Sequence, residues 1–209
     1  LGGGASEETA FANGENELPG DRWGWFSIFC QEECDPSVDS CFFRTQTQGG
    51  WGSVPSGNNP GSYLHDNFDG AFPSGITIGC ANTVTLNSAQ AVTDFLPQGG
   101  GPLALTAVYV DPTSPLISTL AGNLLAVSLA LGFDSYDSSF GLSSGYLGDL
   151  IITSGTFSGW TLTNLVDEAN LALGGCSSSY GLSELNDALA NASSSFTDGD
   201  TSSGFLACP

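Results

Sequence analysis

The run Leu116 to Leu131 constrains the fold more than any other stretch of this chain. It holds 11 apolar residues in 16, interrupted only by Ser118, Thr119, Gly122, Asn123 and Ser128. Pro115 suits a first helical position, where its missing N–H costs nothing, and Ser114 is the candidate cap. Gly132 offers the left-handed residue that closes a helix. The predicted helix, 115–131, keeps its polar residues to one side of the first two turns. From Leu124 to Leu131 it is apolar almost all round, as a helix buried on every side would be. At about 1.5 Å per residue it spans roughly 24 Å, and with its polar face this argues for a core helix against a membrane span. Ser118, Gly122 and Ala126, spaced by four, mark where a neighbour comes close.

The segments around this run read as shorter elements. Asn87-Ser88-Ala89-Gln90 has the form of a capping box, with Asn87 as cap, opening a helix over 88–96 that stops at Pro97. Thr161 caps a helix whose stripe is Leu162, Leu165, Val166, Ala169 and Leu173, closed by Gly174-Gly175. Ser183 caps another, running to Phe196 with Leu185, Ala188, Leu189 and Ala192 inward. Tyr63 to Gly70 reads as a helical turn or more. Ile76-Thr77-Ile78 and Leu150-Ile151-Ile152 are strand candidates, and Leu103 to Val110 is strand or helix. The expected class is α+β, a mainly helical core around the central helix with a loop-rich, disulfide-bonded N-terminal part. Three parts follow: residues 1–20 as a flexible acidic segment, 21–43 as a small aromatic, cysteine-rich unit, and 44–209 as the main domain.

Charge excludes whole classes of partner. The 22 acidic residues face two arginines, Arg22 and Arg44, with no lysine, for a net charge of −20. Nucleic-acid phosphates need clustered Lys and Arg, and anionic membrane surfaces attract the same residues. Only 11% of residues are charged, so the surface must be largely Ser, Thr, Asn, Gln and Gly. Six cysteines, Cys30, Cys34, Cys41, Cys80, Cys176 and Cys208, suit three disulfides in an oxidising compartment. A single histidine and the absence of C-x2-C spacing argue against zinc. Cys176 with Cys208 is the expected pair at the C-terminal end, leaving the other four to pair among themselves. No signal peptide is visible, so the chain reads as a mature form whose export signal is gone.

Candidate chemistry is sparse. Gly141-Leu142-Ser143-Ser144-Gly145 matches the G-x-S-x-G nucleophile elbow, but no buried strand precedes it and His65 lies upstream of the serine. His65, Asp66 and Asp69 lack the second histidine that a zinc or iron site would use, and His65 reads as a histidine at the edge of the core. Asp134, Asp137, Asp198 and Asp200 place hard oxygen atoms close together in loops and are the candidate calcium ligands, outside the EF-hand pattern. No pair of carboxylates is singled out for glycoside hydrolysis. With no lysine and one histidine, most nucleophile and base options are gone, and the reading is of a protein that is not an enzyme and needs no cofactor beyond calcium. Arg22 beside Trp23 and Trp25, and Arg44 near Trp51, together with Trp160, form the candidate interaction surface, by cation–π contact or by stacking on sugars.

Several of these stretches also carry a resemblance. Glu8 to Ala12 with Arg22-Trp-Gly-Trp25, then Arg44-Thr-Gln-Thr-Gln-Gly-Gly-Trp-Gly52 with Gly57-Asn-Asn-Pro-Gly61 and the tract 86–97, resemble segments of secreted, mostly uncharacterised surface proteins of marine Bacteroidota. Gly159-Trp-Thr-Leu162 through Leu173-Gly-Gly-Cys176, and the helix near Ser183 to Phe196, resemble their C-terminal part. The likeness covers about residues 44–209; the front module reads as cut down here, and the sorting domain that many such proteins carry is expected to be either absent or already removed. It implies an exported cell-surface or matrix protein and carries over no catalytic residues. The expected function is therefore a secreted structural or adhesive protein that self-assembles into a filament, sheath or matrix. A glycan-binding surface module stands second and a secreted hydrolase third.

Overall fold

A computed structural model of the chain describes residues 41–113, 116–141, 143, 145–199 and 202–209. They belong to one compact unit, Ser40–Pro209, whose class is α+β. In chain order the helices are α1 (Gln48–Trp51), α2 (Pro60–Ala71), α3 (Ala89–Phe95), α4 (Thr119–Tyr136), α5 (Leu162–Leu173) and α6 (Leu182–Ser193). The strands are β1 (Ile76–Gly79), β2 (Thr83–Leu86), β3 (Tyr109–Val110), β4 (Ile151–Ile152) and β5 (Leu206–Ala207). None of the described helices is long and apolar enough to cross a membrane.

The central helix exists, but its bounds differ from those expected. Ser118 is the cap, its Oγ accepting from the Ala121 N–H at 3.3 Å. Ile117 just before it takes a left-handed conformation (φ 56°), so the chain turns here and the helix cannot start earlier. Ser114 and Pro115, the expected cap and first residue, lie outside the described residues. Gly132 does not end the helix. It sits inside it, where a Cβ would overlap the Phe72 ring, so this glycine serves close approach; the helix runs on to Tyr136. Leu120 to Val127, Leu129 to Leu131 and Phe133 are buried. The helix packs most extensively on α6, then α5, with α1 and α2 elsewhere around it; α3 lies mainly against α2.

Two of the other caps also move. In α3 the cap is Ser88, accepting from Ala91 at 3.1 Å, while Asn87 bonds Asp111 and Gln90 bonds Asp94. In α6 the cap is Gly181, whose N–H donates to Glu184 at 3.1 Å; Phe196 lies beyond the helix end but is fully buried. Thr161 caps α5 as the sequence predicts, accepting from Asn164 at 3.2 Å, and the whole expected stripe is buried.

A small sheet of order β1-β2-β3 joins β1 and β2 antiparallel (Ile76 opposite Leu86) and β2 and β3 parallel (Val84 opposite Tyr109). Strand β2 was not foreseen, although its alternation buries Val84 and Leu86. Of the ambiguous stretch 103–110 only Tyr109 and Val110 are strand. Strands β4 and β5 pair antiparallel near the C-terminus.

Among the described residues the disulfides are Cys41–Cys208 and Cys80–Cys176, which overturns the expected Cys176–Cys208 pair. The reason is packing. The β1–β2 turn sits on the C-terminal end of α5, where a Cβ on Gly174 would overlap the Cys80 backbone and Asn82 N–H donates to Gly174 at 2.9 Å. Cys176 therefore faces Cys80. Cys208 follows β5 and meets Cys41 at the other end of the unit, so Cys41 to Phe43 belong by packing to the main body and not to the aromatic unit 21–43. Cys30 and Cys34 lie outside the described residues.

Candidate functional site

Arg44 is the one lysine or arginine among the described residues. Its backbone is held from both sides. Phe43 is buried, Thr45 N–H donates to Phe196 O at 3.0 Å, and Thr45 Oγ1 accepts from Phe196 N–H at 3.0 Å. The guanidinium carbon lies 5.3 Å from the centre of the Tyr63 ring and 5.4 Å from that of Phe140, a double cation–π contact. Behind these rings Trp51, Phe133 and Phe72 continue an aromatic cluster into the core. The Arg44 Nε is buried and has no hydrogen-bond partner among the described residues.

Helix α2 supplies the facing wall. Asn59 caps it, its side chain accepting from Ser62 N–H at 2.9 Å, and Pro60 occupies the first turn. From that start Ser62 and Asp66 fall one turn apart on one side, with Tyr63 beside them. Arg44, Gly57, Asn58, Ser62, Tyr63 and Asp66 line a cleft of about 240 Å³. The Tyr63 hydroxyl donates to Asp137 at 2.6 Å. Burial, with that bond and the Asp137 charge, pushes the tyrosine far above its ordinary range. The same bond, with Ser139 and the Arg44 charge, holds Asp137 below the usual carboxylate range. Tyr63 is thus a fixed wall of the cleft, not an acid.

The other expected site residues fare unequally. Trp51 is fully buried, with its indole N–H donating to the Ala126 carbonyl at 3.1 Å, so it is a core anchor and not an exposed platform. Trp160 is half-buried, edge-on to Phe157 and Tyr180. Arg22, Trp23 and Trp25 lie outside the described residues. The proposed calcium ligands are spent separately: Asp134 accepts from Leu147 N–H at 2.8 Å, Asp137 from Tyr63 and Ser139, and Asp198 from Gln46 at 2.6 Å. Burial raises the Asp134 carboxyl. Asp200 is outside the described residues, among which no group of three or more His, Cys, Asp or Glu could hold a metal ion. His65 Nε2 meets Thr93 Oγ1 at 3.0 Å, between α2 and α3. In the G-x-S-x-G stretch, Ser143 N–H donates to Phe42 O at 2.9 Å; Leu142 and Ser144 lie outside the described residues.

A second cleft, of about 210 Å³, lies between 154–157 and α6. Its Glu184 is already engaged by Gly181 and by Thr156 at 3.3 Å. The Arg44 cleft is the better site because its cation is set in place and open to it. Sequence reasoning named Arg44 and Asp66 but did not join them. The signal was the Asn59-Pro60 start, which fixes the α2 register. Comparison of the chain with models of protein families, with curated proteins and with solved structures finds no match.

Proposed function

We propose that this is an exported extracellular structural or adhesive protein that assembles with copies of itself into a surface filament, sheath or matrix. One observation carries the reading. Four of the nine exposed large apolar side chains among the described residues, Leu103, Val108, Val110 and Ile117, crowd into 103–117. From Phe95 to Phe133 the only charged residue is Asp111, and Asn87 already binds its carboxylate twice. Asp111 keeps its charge, but in a chain of net charge −20, exposed apolar side chains in a stretch with a single carboxylate are where a second copy meets less repulsion. Strand β3 pairs with β2 alone among the described residues, but it is two residues long and Asp111-Pro112 follows it. That is a blunted edge, so side-chain packing fits the contact better than strand addition. Two disulfides spanning 167 and 96 residues suit an oxidising, extracellular setting, which is also what the resemblance read from the sequence would imply.

The test is electron microscopy and sedimentation of the oxidised protein at low salt, at high sodium chloride and with calcium chloride. Ordered polymers should appear once salt or calcium screens the charge, and Val108→Glu with Val110→Glu should abolish them. Monomers under every condition, or polymers indifferent to the double substitution, would overturn the reading. A carbohydrate-binding surface module is the second reading, and it rests on the Arg44 cleft.

A further inference from the structure

We propose that the cleft between Arg44 and α2 is a binding site for a neutral sugar, held through vicinal hydroxyl groups. The inference stands apart from self-assembly and uses none of the 103–117 surface.

The cleft carries both kinds of hydrogen-bonding group. Arg44 offers only donors, the Asp66 carboxylate only acceptors, and Asn58 both, while Ser62, whose hydroxyl donates to Asn59 at 3.0 Å, offers an acceptor. A sugar hydroxyl donates one proton and accepts in return, so a pair on adjacent carbons can give to Asp66 while receiving from the guanidinium or the Asn58 amide. A planar fork clamped on two rings presents its donors at fixed angles, which favours a ligand with two oxygens at a fixed spacing. The wall is also arranged before any ligand arrives, since Asn59 fixes the register of α2 and Asp137 holds Tyr63. Preorganisation of that kind lowers the cost of binding.

Charge selects against the alternatives. A free anion would gain Arg44 but meet Asp66 in the cleft, Asp137 behind Tyr63, and the field of a −20 chain. A cation would meet a guanidinium that its ring contacts keep in place. A neutral polyol incurs neither penalty and uses both groups. Size narrows the ligand further. The cleft, about 240 Å³, falls below the roughly 300–1,000 Å³ of sites that enclose drug-sized ligands. It accommodates a single ring, or the end of a chain, with its other face in water. Affinity should accordingly be weak, with Kd on the order of 1 mM.

The experiment is a titration of the full, disulfide-bonded, isotope-labelled chain, followed by backbone amide shifts. The probes are methyl glycosides of glucose, galactose, mannose, xylose and fucose, with glucuronate and glucosamine as charged comparators. At least one neutral glycoside should bind saturably, shifting the amides of 57, 58 and 62–66 with little dependence on salt. Asn58 and Asp66 are exposed, so Asn58→Ala and Asp66→Ala leave the fold in place, and each should weaken binding about tenfold or more; Arg44→Gln should abolish it. Binding of none of the neutral glycosides overturns the proposal, as does binding that survives both exposed substitutions. Tighter binding of glucuronate or glucosamine than of every neutral glycoside overturns it as well, assigning the cleft to a charged ligand. The readout is taken on monomer at low salt, so the outcome is independent of whether polymers form.

Discussion

Asp134 and Asp137 sit three residues apart and are pushed in opposite directions by their surroundings. Burial raises Asp134, whereas hydrogen bonds from Tyr63 and Ser139 depress Asp137. A carboxylate depressed in the folded state contributes stability above its unfolded pKa and loses that contribution as pH falls through its folded pKa. The raised one has the opposite sign: its ionised form costs stability at neutral pH, and the cost lifts on acidification. The two partly cancel in a wild-type pH profile, so the informative quantity is a difference. The urea midpoint of Asp137→Asn should lie below wild type at pH 7. The gap should close as pH drops below the ordinary aspartate value of about 3.9. A gap unchanged down to pH 2 would contradict the role given to the Tyr63–Asp137 bond. Neither direction could be read from the chain, where both residues look like solvated loop acids. The same blindness applies to Trp51 beside its glycines. Local pattern cannot distinguish an aromatic that faces water from one whose N–H is spent on a helix carbonyl 75 residues away.

Elements were more legible than residues, and the reason lies in periodicity. The stripes of α5 and α6 and the all-round apolar half of α4 follow directly from residue order, because burial on a helix face repeats every 3.6 residues. The ends of α4 were not legible, because Gly132 answers to the Phe72 ring and Ser118 to a turn at Ile117, both tertiary facts. Strand β2 was missed because four residues of alternation, Thr83 to Leu86, make a weak signal by themselves. The spacing of Ser118, Gly122 and Ala126 did identify the seam where another element comes close. At Gly122 and Ala126 that element is the short α1, whereas Ser118 meets 101–103, donating to Leu103 O at 2.6 Å. Gln48 lies over Gly122, accepting from Gln98 N–H at 2.9 Å and donating to Asn123 at 2.7 Å, while Trp51 reaches Ala126. A glycine in mid-helix ordinarily costs about 1 kcal/mol relative to alanine. Here Gly122→Ala should destabilise instead, by about 1–2 kcal/mol, because the new methyl displaces Gln48 from both bonds. In a Gln48→Ala background the same substitution should become neutral or stabilising. Chemical denaturation of the four proteins of this double-mutant cycle measures the coupling. Additive effects would show that Gln48 does not set the requirement for glycine.

At the scale of the whole molecule the two disulfides among the described residues are nested: Cys80–Cys176 lies inside the span that Cys41–Cys208 closes. The outer link ties the start of the unit to the end of the β4–β5 ribbon. The inner one ties the β1–β2 turn to the end of α5. Cysteine count could be read from the sequence, but pairing could not, because it depends on which chain ends the core brings together. The core does so through Phe43 against Phe196 at one end and Gly174 against Cys80 at the other. Each link also compensates for a chain that forgoes nearly all ion pairing: with one described cation, opposite charges cannot brace the surface, and self-repulsion favours expansion. Covalent closure acts on the expanded state, removing conformations that the repulsion would otherwise reward. Two outcomes follow for the inner link. Non-reducing peptide mapping should recover Cys80 joined to Cys176 and Cys41 joined to Cys208, with no peptide joining Cys176 to Cys208. Replacing Cys80 and Cys176 together by alanine should cost about 2–5 kcal/mol of stability in urea unfolding. The loss should grow at low ionic strength, where the charges of the unfolded chain repel most strongly. A loss that is the same at low and high salt would separate the disulfide from the charge problem, leaving loop closure alone as its contribution.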